Sequence, residues 1–191
     1  MTPALKGPIM ALAEGRHQRD AAPLTPTPRA TRSAGYVWAV ARITIGWVFL
    51  WAFLDKLFGW GFATPADRAW VNGGSPTTGF LKGTSGHALG DLFSGLAGQA
   101  WVDWLFMAGL LGIGAALVLG AGMRIAAVTG GLLLLFMWAA ELPLESNPFI
   151  DEHIVYAVVL AVLALTNAGD TLGIGGWWRN TGVVRRHPVL R

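Results

Sequence analysis

Four long apolar stretches constrain this chain more than any other feature. They lie at 36–58, 101–120, 124–142 and 153–169. A helix needs about 20 apolar residues to cross a hydrocarbon core of about 30 Å. Charged residues make up only 13% of the chain, against roughly 25% in soluble domains. The sequence therefore predicts an all-α membrane protein in which four transmembrane helices form a bundle.

The segments around these spans divide the chain into a membrane domain, 36–178, and two tails. Residues 1–35 are rich in Pro, Ala, Thr and Arg, and they are expected to form a disordered basic tail. Residues 179–191 form a second basic tail. The segment 59–100, between the first two spans, carries too many large apolar side chains for a solvated linker. We expect it to fold over the end of the bundle.

The basic residues predict the orientation, because four spans place both termini on the same side. That side holds eleven of the 14 Lys and Arg residues: Lys6, Arg16, Arg19, Arg29, Arg32, Arg42, Arg124, Arg179, Arg185, Arg186 and Arg191. The opposite side holds Lys56, Arg68 and Lys82. Because basic residues favour the cytoplasmic side, we expect a plasma-membrane protein with cytoplasmic termini and an external segment 59–100.

Small residues recur every four positions along the second span, at Ala108, Gly112, Ala116 and Gly120. Such a stripe lets two helix backbones approach closely in lipid. We therefore expect this face of the second span to pack against a neighbouring helix.

Three ionisable residues in the first two spans are candidates for a polar substrate site: Arg42, Lys56 and Asp103. Charges within spans usually face protein or water. The structural alternative is that both cations extend to lipid headgroups. Asp103 stands between Trp101 and Trp104, so it either lies in a wet interfacial belt or pairs with Lys56.

The acidic stretch ELPLESNPFIDEH, at 141–153, separates the last two spans. Glu141 and His153 are candidate catalytic residues that handle protons. Asp151 and Glu152 are expected to cap the last span, where negative charge favours the helix dipole. Glu152 and His153 are adjacent, so their side chains diverge by about 100° on a helix. For this reason no metal site is predicted.

A weaker signal precedes Lys82, where the stretch VNGGSPTTG offers glycine amides and hydroxyl groups. These groups are the ingredients of a small anion-binding nest. Turn chemistry also accounts for the same Gly, Asn and Pro residues.

Four stretches together resemble the DoxX/DoxD family of small bacterial membrane proteins, particularly its DoxD-type branch. They are RITIGWVFLWAFLDKL, WVNGGSPTTGFL, WVDWLFMAGLLGIGAALVLG and ESNPFIDEHIVYAVVL. The resemblance covers roughly 36–178. Arg42, Gly46, Phe49 and Lys56 match the family's first-span pattern, whereas Phe53 stands where many members have glycine.

The resemblance implies a four-helix membrane bundle that serves as a subunit of a quinone-linked oxidoreductase. In the family's namesake, such a subunit pairs with a second one and passes electrons from thiosulfate to quinone. The chain has no cysteine and no haem or flavin motif, so quinone or a partner must carry the redox chemistry. We expect no covalently bound cofactor. Candidate quinone contacts are Trp47, Trp51 and Trp138, although core packing also accounts for them.

A second hypothesis makes the protein a non-catalytic assembly or docking subunit of a redox or stress-response complex, so catalysis itself stays open. The expected partners are the lipid bilayer and either a second redox subunit or further copies of the chain. No nucleic acid is expected. A small transporter is disfavoured, because four helices lack the repeated halves and broken helices of carriers.

Overall fold

The computed structural model describes residues 28–145 and 147–191, and every regular element in that part is helical. The helices are α1 (Pro28–Phe58), α2 (Thr78–Gly83), α3 (Gly90–Ser94), α4 (Ala100–Leu119), α5 (Met123–Ala140), α6 (Glu152–Leu165), α7 (Gly175–Trp178) and α8 (Gly182–Arg186). Single 3₁₀ turns lie at Ala66–Arg68, Trp70–Asn72, Ala168–Asp170 and Pro188–Leu190. The all-α class predicted from the sequence is confirmed for the described residues.

Three helices are long and apolar enough to cross a membrane: Arg32–Phe58, Ala100–Leu119 and Met123–Ala140. The fourth apolar helix, α6, has 14 residues and is therefore about 21 Å long. It is shorter than the predicted span 153–169 because Asn167 takes a left-handed conformation, with φ of 50°, and ends the helix. A 3₁₀ turn continues the chain to Asp170.

Helix α1 begins at Pro28, whereas the first span was predicted to begin at residue 36. Proline is compatible with the first turn of a helix, because the amide hydrogen that it lacks has no intrahelical partner there. The tail predicted for 1–35 is thus helical from Pro28 onward. Residues 1–27 lie outside the described residues.

The four long helices share one apolar core. Helix α1 packs along α4, α5 packs against both α4 and α6, and α6 also contacts α1. Buried side chains from each of them meet in this core, including Phe49, Leu117, Leu134 and Leu160. Large apolar side chains also cover the outer faces, among them Val40, Ile43, Leu105, Leu111, Val128, Leu132, Phe136, Val155 and Val158. Such a surface suits lipid rather than water.

The predicted stripe lies only in part at close helix contacts: Gly120 lies against Arg42 of α1 and Ala116 packs on the core. Gly112 is exposed, and a Cβ placed on it would meet nothing within 4 Å. A Cβ on Gly114 would lie 2.8 Å from the backbone nitrogen of Leu50, and one on Gly46 would lie 3.0 Å from that of Val118. The small-residue periodicity therefore identified the packed face only in part, because the closest backbone contact of α4 with α1 is made at Gly114.

The segment between α1 and α4 folds over one end of the bundle. Leu81 and Phe93 form a small core with Ala140 at the end of α5. The buried carboxylate of Asp55 accepts hydrogen bonds from the amides of Phe62 and Ala63, at 3.4 and 3.0 Å. We call this end of the bundle the loop end. The opposite end, where α4 meets α5 and the carboxyl-terminal segment packs, is the arginine end.

Replacing Gly114 by Ala should destabilise the protein by roughly 1–3 kcal/mol, because the added methyl group displaces the backbone of α1. Gly112→Ala is the matched control, since the same methyl group enters open space; it should leave stability unchanged or slightly raised. Unfolding in mixed micelles with increasing SDS, followed by circular dichroism, measures both. Equal stability of the two variants would contradict this account of the α1 and α4 contact.

Candidate functional site

Arg42 lies fully buried at the arginine end, with 0% of its surface exposed. Its guanidinium donates to the carbonyl oxygens of Leu117 and Val118 in the last turn of α4, at 2.5 and 3.0 Å. It also donates to the carbonyl oxygens of Thr171 and Leu172, at 3.3 and 2.8 Å. The last carbonyl groups of a helix have no intrahelical partner, so Arg42 satisfies two of them and ties the carboxyl-terminal segment to α1.

Gly120 makes room for this guanidinium at the end of α4. The residue takes a left-handed conformation with φ of 76°, which glycine adopts without steric cost. A Cβ at this position would lie 2.6 Å from Nη1 of Arg42. The site of Arg42 is therefore filled by protein atoms on every side, and no donor of the guanidinium is accessible to a substrate.

Asp103 lies at the loop end, buried at the start of α4. Its Oδ1 accepts hydrogen bonds from Ser75 Oγ at 2.9 Å, from the Thr77 amide at 3.2 Å and from Thr77 Oγ1 at 2.5 Å. The loop that the sequence suggested as an anion nest thus surrounds a carboxylate of the same chain. This network fixes the loop on the bundle.

The three residues predicted to form a polar substrate site do not come together. Arg42 bonds to the end of α4, whereas Asp103 lies in its first turn, and a helix of 20 residues is about 30 Å long. Lys56 is partly buried and makes no hydrogen bond or ion pair with any described residue. The pairing of Lys56 with Asp103, one of the two alternatives for Asp103, does not form among the described residues, because Ser75 and Thr77 bond to this carboxylate.

An open acidic cleft of about 450 Å³ lies at the loop end. Its wall consists of Gly79, Phe80, Gly83, Thr84, His87, Glu141, Leu144, Glu145, Asp151 and Glu152. Two hydrogen bonds join the segment around His87 to the end of α5. His87 Nδ1 lies 3.0 Å from the carbonyl oxygen of Glu141, and the Ala88 amide donates to the carbonyl oxygen of Leu142 at 2.8 Å. The cleft therefore has a fixed frame lined by four carboxyl groups.

Two of these carboxyl groups meet a buried histidine. One oxygen each of Glu141 and Asp151 and one ring nitrogen of His153 lie within 4.8 Å of one another. Asp151 Oδ2 lies 2.7 Å from His153 Nδ1. We call these three residues the carboxylate–histidine cluster. The expectation of no metal site rested on the adjacent residues Glu152 and His153, whereas Asp151 has extended backbone geometry that turns its side chain over the first turn of α6.

Asp151 also confirms the predicted cap of the last helix, since its Oδ1 accepts a hydrogen bond from the Ile154 amide at 3.2 Å. Burial by itself would raise the pKa of Asp151. The hydrogen bonds from His153 and from the Ile154 amide outweigh burial and hold this pKa below its usual value. Asp151 is therefore a carboxylate at neutral pH, available to a cation or a hydrogen-bond donor.

A second candidate region is an aromatic cluster at the loop end of α1. Trp51 lies 5.9 Å from Trp47, 5.5 Å from Trp60 and 5.0 Å from Phe62, measured between ring centroids. Phe58 stacks on Trp60 at 5.6 Å. Trp47 is 52% exposed and Trp60 is 50% exposed, so these rings are not simply core. We call these five residues the aromatic cluster.

Trp138, the third predicted quinone contact, has a different environment. Its indole nitrogen donates to the carbonyl oxygen of Phe149 at 3.1 Å, and no ring contact joins it to another aromatic residue in the described part of the chain. Trp47 and Trp51 therefore belong together, whereas Trp138 stands apart from them.

Several residues of these sites were not predicted as partners from the sequence, among them His87, Trp60 and Asp151 as a neighbour of His153. The contact between Asp151 and His153 could have been predicted from the sequence, because a cap residue and a histidine two positions later share the first turn of a helix. His87 and Trp60 reach their sites through the folded segment 59–99, which no local pattern specifies.

The chain was compared with models of protein families, with curated proteins and with solved structures, and nothing matched. What the sites described above can do must therefore be argued from their own geometry and chemistry.

Replacing Arg42 by Met should destabilise the protein by at least about 3 kcal/mol, because each hydrogen bond from a charged donor contributes about 1.5–3 kcal/mol. Arg42→Lys should recover only part of this loss, since an ammonium group lacks the planar fork that reaches two segments. Arg124→Met is the control: Arg124 is exposed, and its side chain donates only to the Pro188 carbonyl among the described residues, at 3.3 Å. SDS-induced unfolding measures all three, and a stable Arg42→Met variant would refute the structural role.

Proposed function

We propose that the chain is a four-span membrane protein with both termini on the cytoplasmic side. The fourth span consists of α6 together with the turn that follows it. The separation of charge between the two ends supports this arrangement. The arginine end carries the side chains of Arg42, Arg124, Arg179 and Arg191, whereas the loop end carries the carboxylates of the acidic cleft. Basic residues favour the cytoplasmic side.

The cysteine-free sequence allows a direct test of this topology. Single cysteines introduced by S85C and N180C replace exposed residues near the loop end and near the carboxyl terminus. In right-side-out vesicles, an impermeant maleimide should label S85C and spare N180C until the membrane is permeabilised. Labelling of N180C in intact vesicles, or protection of S85C, would contradict the proposed orientation.

We further propose that the protein is a membrane subunit of a quinone-linked oxidoreductase of the DoxX/DoxD type, and the aromatic cluster carries this proposal. Flat exposed rings at the end of a membrane helix suit the flat ring of a quinone, which aromatic faces bind well. The indole nitrogens of Trp47, Trp51 and Trp60 have no hydrogen-bond partner among the described residues. They can donate to a quinone oxygen.

A bound quinone would supply the capacity to accept electrons. The chain's own residues would bind and orient its ring through Trp51, which contacts three of the other rings. The acidic cleft is unsuited to a sulfur anion such as thiosulfate, because four carboxyl groups line it and no lysine or arginine does. We therefore propose that a second subunit oxidises the sulfur anion and delivers its electrons to the quinone.

The alternative function is a non-catalytic assembly or docking subunit. One observation favours it: the buried ionisable side chains of the first two long helices, Arg42, Asp55 and Asp103, all bond to backbone or hydroxyl groups that hold the fold. Under this alternative, the purified protein binds no quinone and retains a stoichiometric neighbour from its native membrane.

Trp51→Leu should weaken binding of a short-chain quinone about tenfold, since the lost aromatic contacts are worth about 1.4 kcal/mol. Trp104→Leu is the matched control. Trp104 is 67% exposed and contacts Trp70 at 4.6 Å, outside the aromatic cluster. Equilibrium binding of radiolabelled quinone to the detergent-purified protein provides the measurement. Equal affinities for wild type and both variants, or no binding at all, would exclude the aromatic cluster as a quinone site and favour the docking function.

A further inference from the structure

We propose that the carboxylate–histidine cluster of Glu141, Asp151 and His153 binds a divalent first-row transition cation. The proposal departs from the expectation of no metal site. It does not depend on the quinone-linked function, because it concerns different residues and a different ligand.

The three ligand atoms come from two rigid elements and lie close enough for one ion. Glu141 caps the end of α5, while Asp151 and His153 open α6. A tetrahedral site with bonds of about 2.1 Å has its ligand atoms about 3.4 Å apart. The observed separations reach no more than 4.8 Å. Small rotations of the two partly exposed carboxyl groups are enough to close the site, whereas the buried His153 ring stays in place.

The His153 ring is the observation that distinguishes this cluster from an ordinary acidic surface. Its side chain is only 10% exposed. Its Nδ1 lies 2.7 Å from Asp151 Oδ2, so this ring nitrogen faces the carboxyl groups of the cluster. Neutral imidazole is the commonest metal ligand in proteins and can bind an ion through Nδ1. The ring therefore adds a nitrogen ligand on the side where the two carboxylates lie.

The charge around the cluster also favours a cation. Glu145 and Glu152 line the same cleft as Glu141 and Asp151, and no lysine or arginine lines it. The start of α6 supplies only about half a positive charge. No lysine or arginine of the cleft wall therefore compensates the four carboxyl groups, and a divalent ion would supply positive charge there.

The donor set indicates which class of cation would bind. Carboxylates alone suit Mg²⁺ or Ca²⁺, whereas imidazole suits Zn²⁺ and neighbouring transition ions. Three protein ligands leave one position open, which is the pattern of sites that hold a water molecule or a substrate. The acidic cleft gives that open position access from outside the protein.

Zinc is the probe for the test. The full-length protein, purified in detergent and treated with a chelator, is titrated with Zn²⁺ by calorimetry, and bound zinc is counted by elemental analysis after desalting. We expect about one ion per chain for the wild type and at least tenfold weaker binding for E141Q and H153Q. Magnesium at the same concentration should not displace the zinc.

E145Q is the matched control, because Glu145 lines the cleft but lies outside the cluster; it should bind zinc as the wild type does. D151N should weaken binding yet keep the helix cap, since asparagine caps as well as aspartate. Zinc should also raise the thermal stability of the wild type and E145Q, but not of E141Q. Equal losses in E141Q and E145Q, several ions per chain, or no zinc bound would each overturn the proposal.

Discussion

The buried guanidinium of Arg42 is the interaction on which the helix arrangement depends. The last carbonyl groups of α4 have no intrahelical partner, and the region around Leu117 is buried, so a donor must come from the protein. Arg42 supplies that donor and, from the same group, holds the chain that follows α6. This arrangement requires a long α1, a left-handed glycine at position 120 and a return of the carboxyl-terminal segment to the same end. One side chain thereby links three segments that are distant in the sequence.

At the loop end, buried carboxylates have the equivalent task. Asp55 and Asp103 accept hydrogen bonds from the segment between α1 and α4 and hold it on the bundle. The most conspicuous charges within the predicted spans therefore stabilise the fold and are not free to bind substrates. The groups that can still bind a ligand are the exposed rings of the aromatic cluster and the lone pairs of the carboxylate–histidine cluster.

The residues of these two clusters differ in whether a short stretch of sequence can predict them. Glu141 and His153 could be selected because they fall at the ends of predicted spans, and ionisable residues within spans are uncommon. The cap at Asp151 follows from a local preference. Trp47 and Trp51 could be grouped because residues four apart share a helix face. Trp60 and His87 could not be placed, because their positions depend on how the segment 59–99 folds. The stripe at Gly112 failed for a similar reason: periodicity identifies a face but not the neighbour that it meets.

Local composition specifies the all-helical class and the apolar helices, because helix length and apolar character depend on the residues of each stretch alone. It also determines which ionisable residues need a partner. The identity of each partner follows from how the helices and loops pack. The tertiary structure joins Arg42 to the ends of two distant segments, places Asp103 against its own loop and sets Glu141 beside Asp151 and His153. Such contacts depend on how whole helices pack, and the energy of packing is shared among residues that no short stretch contains.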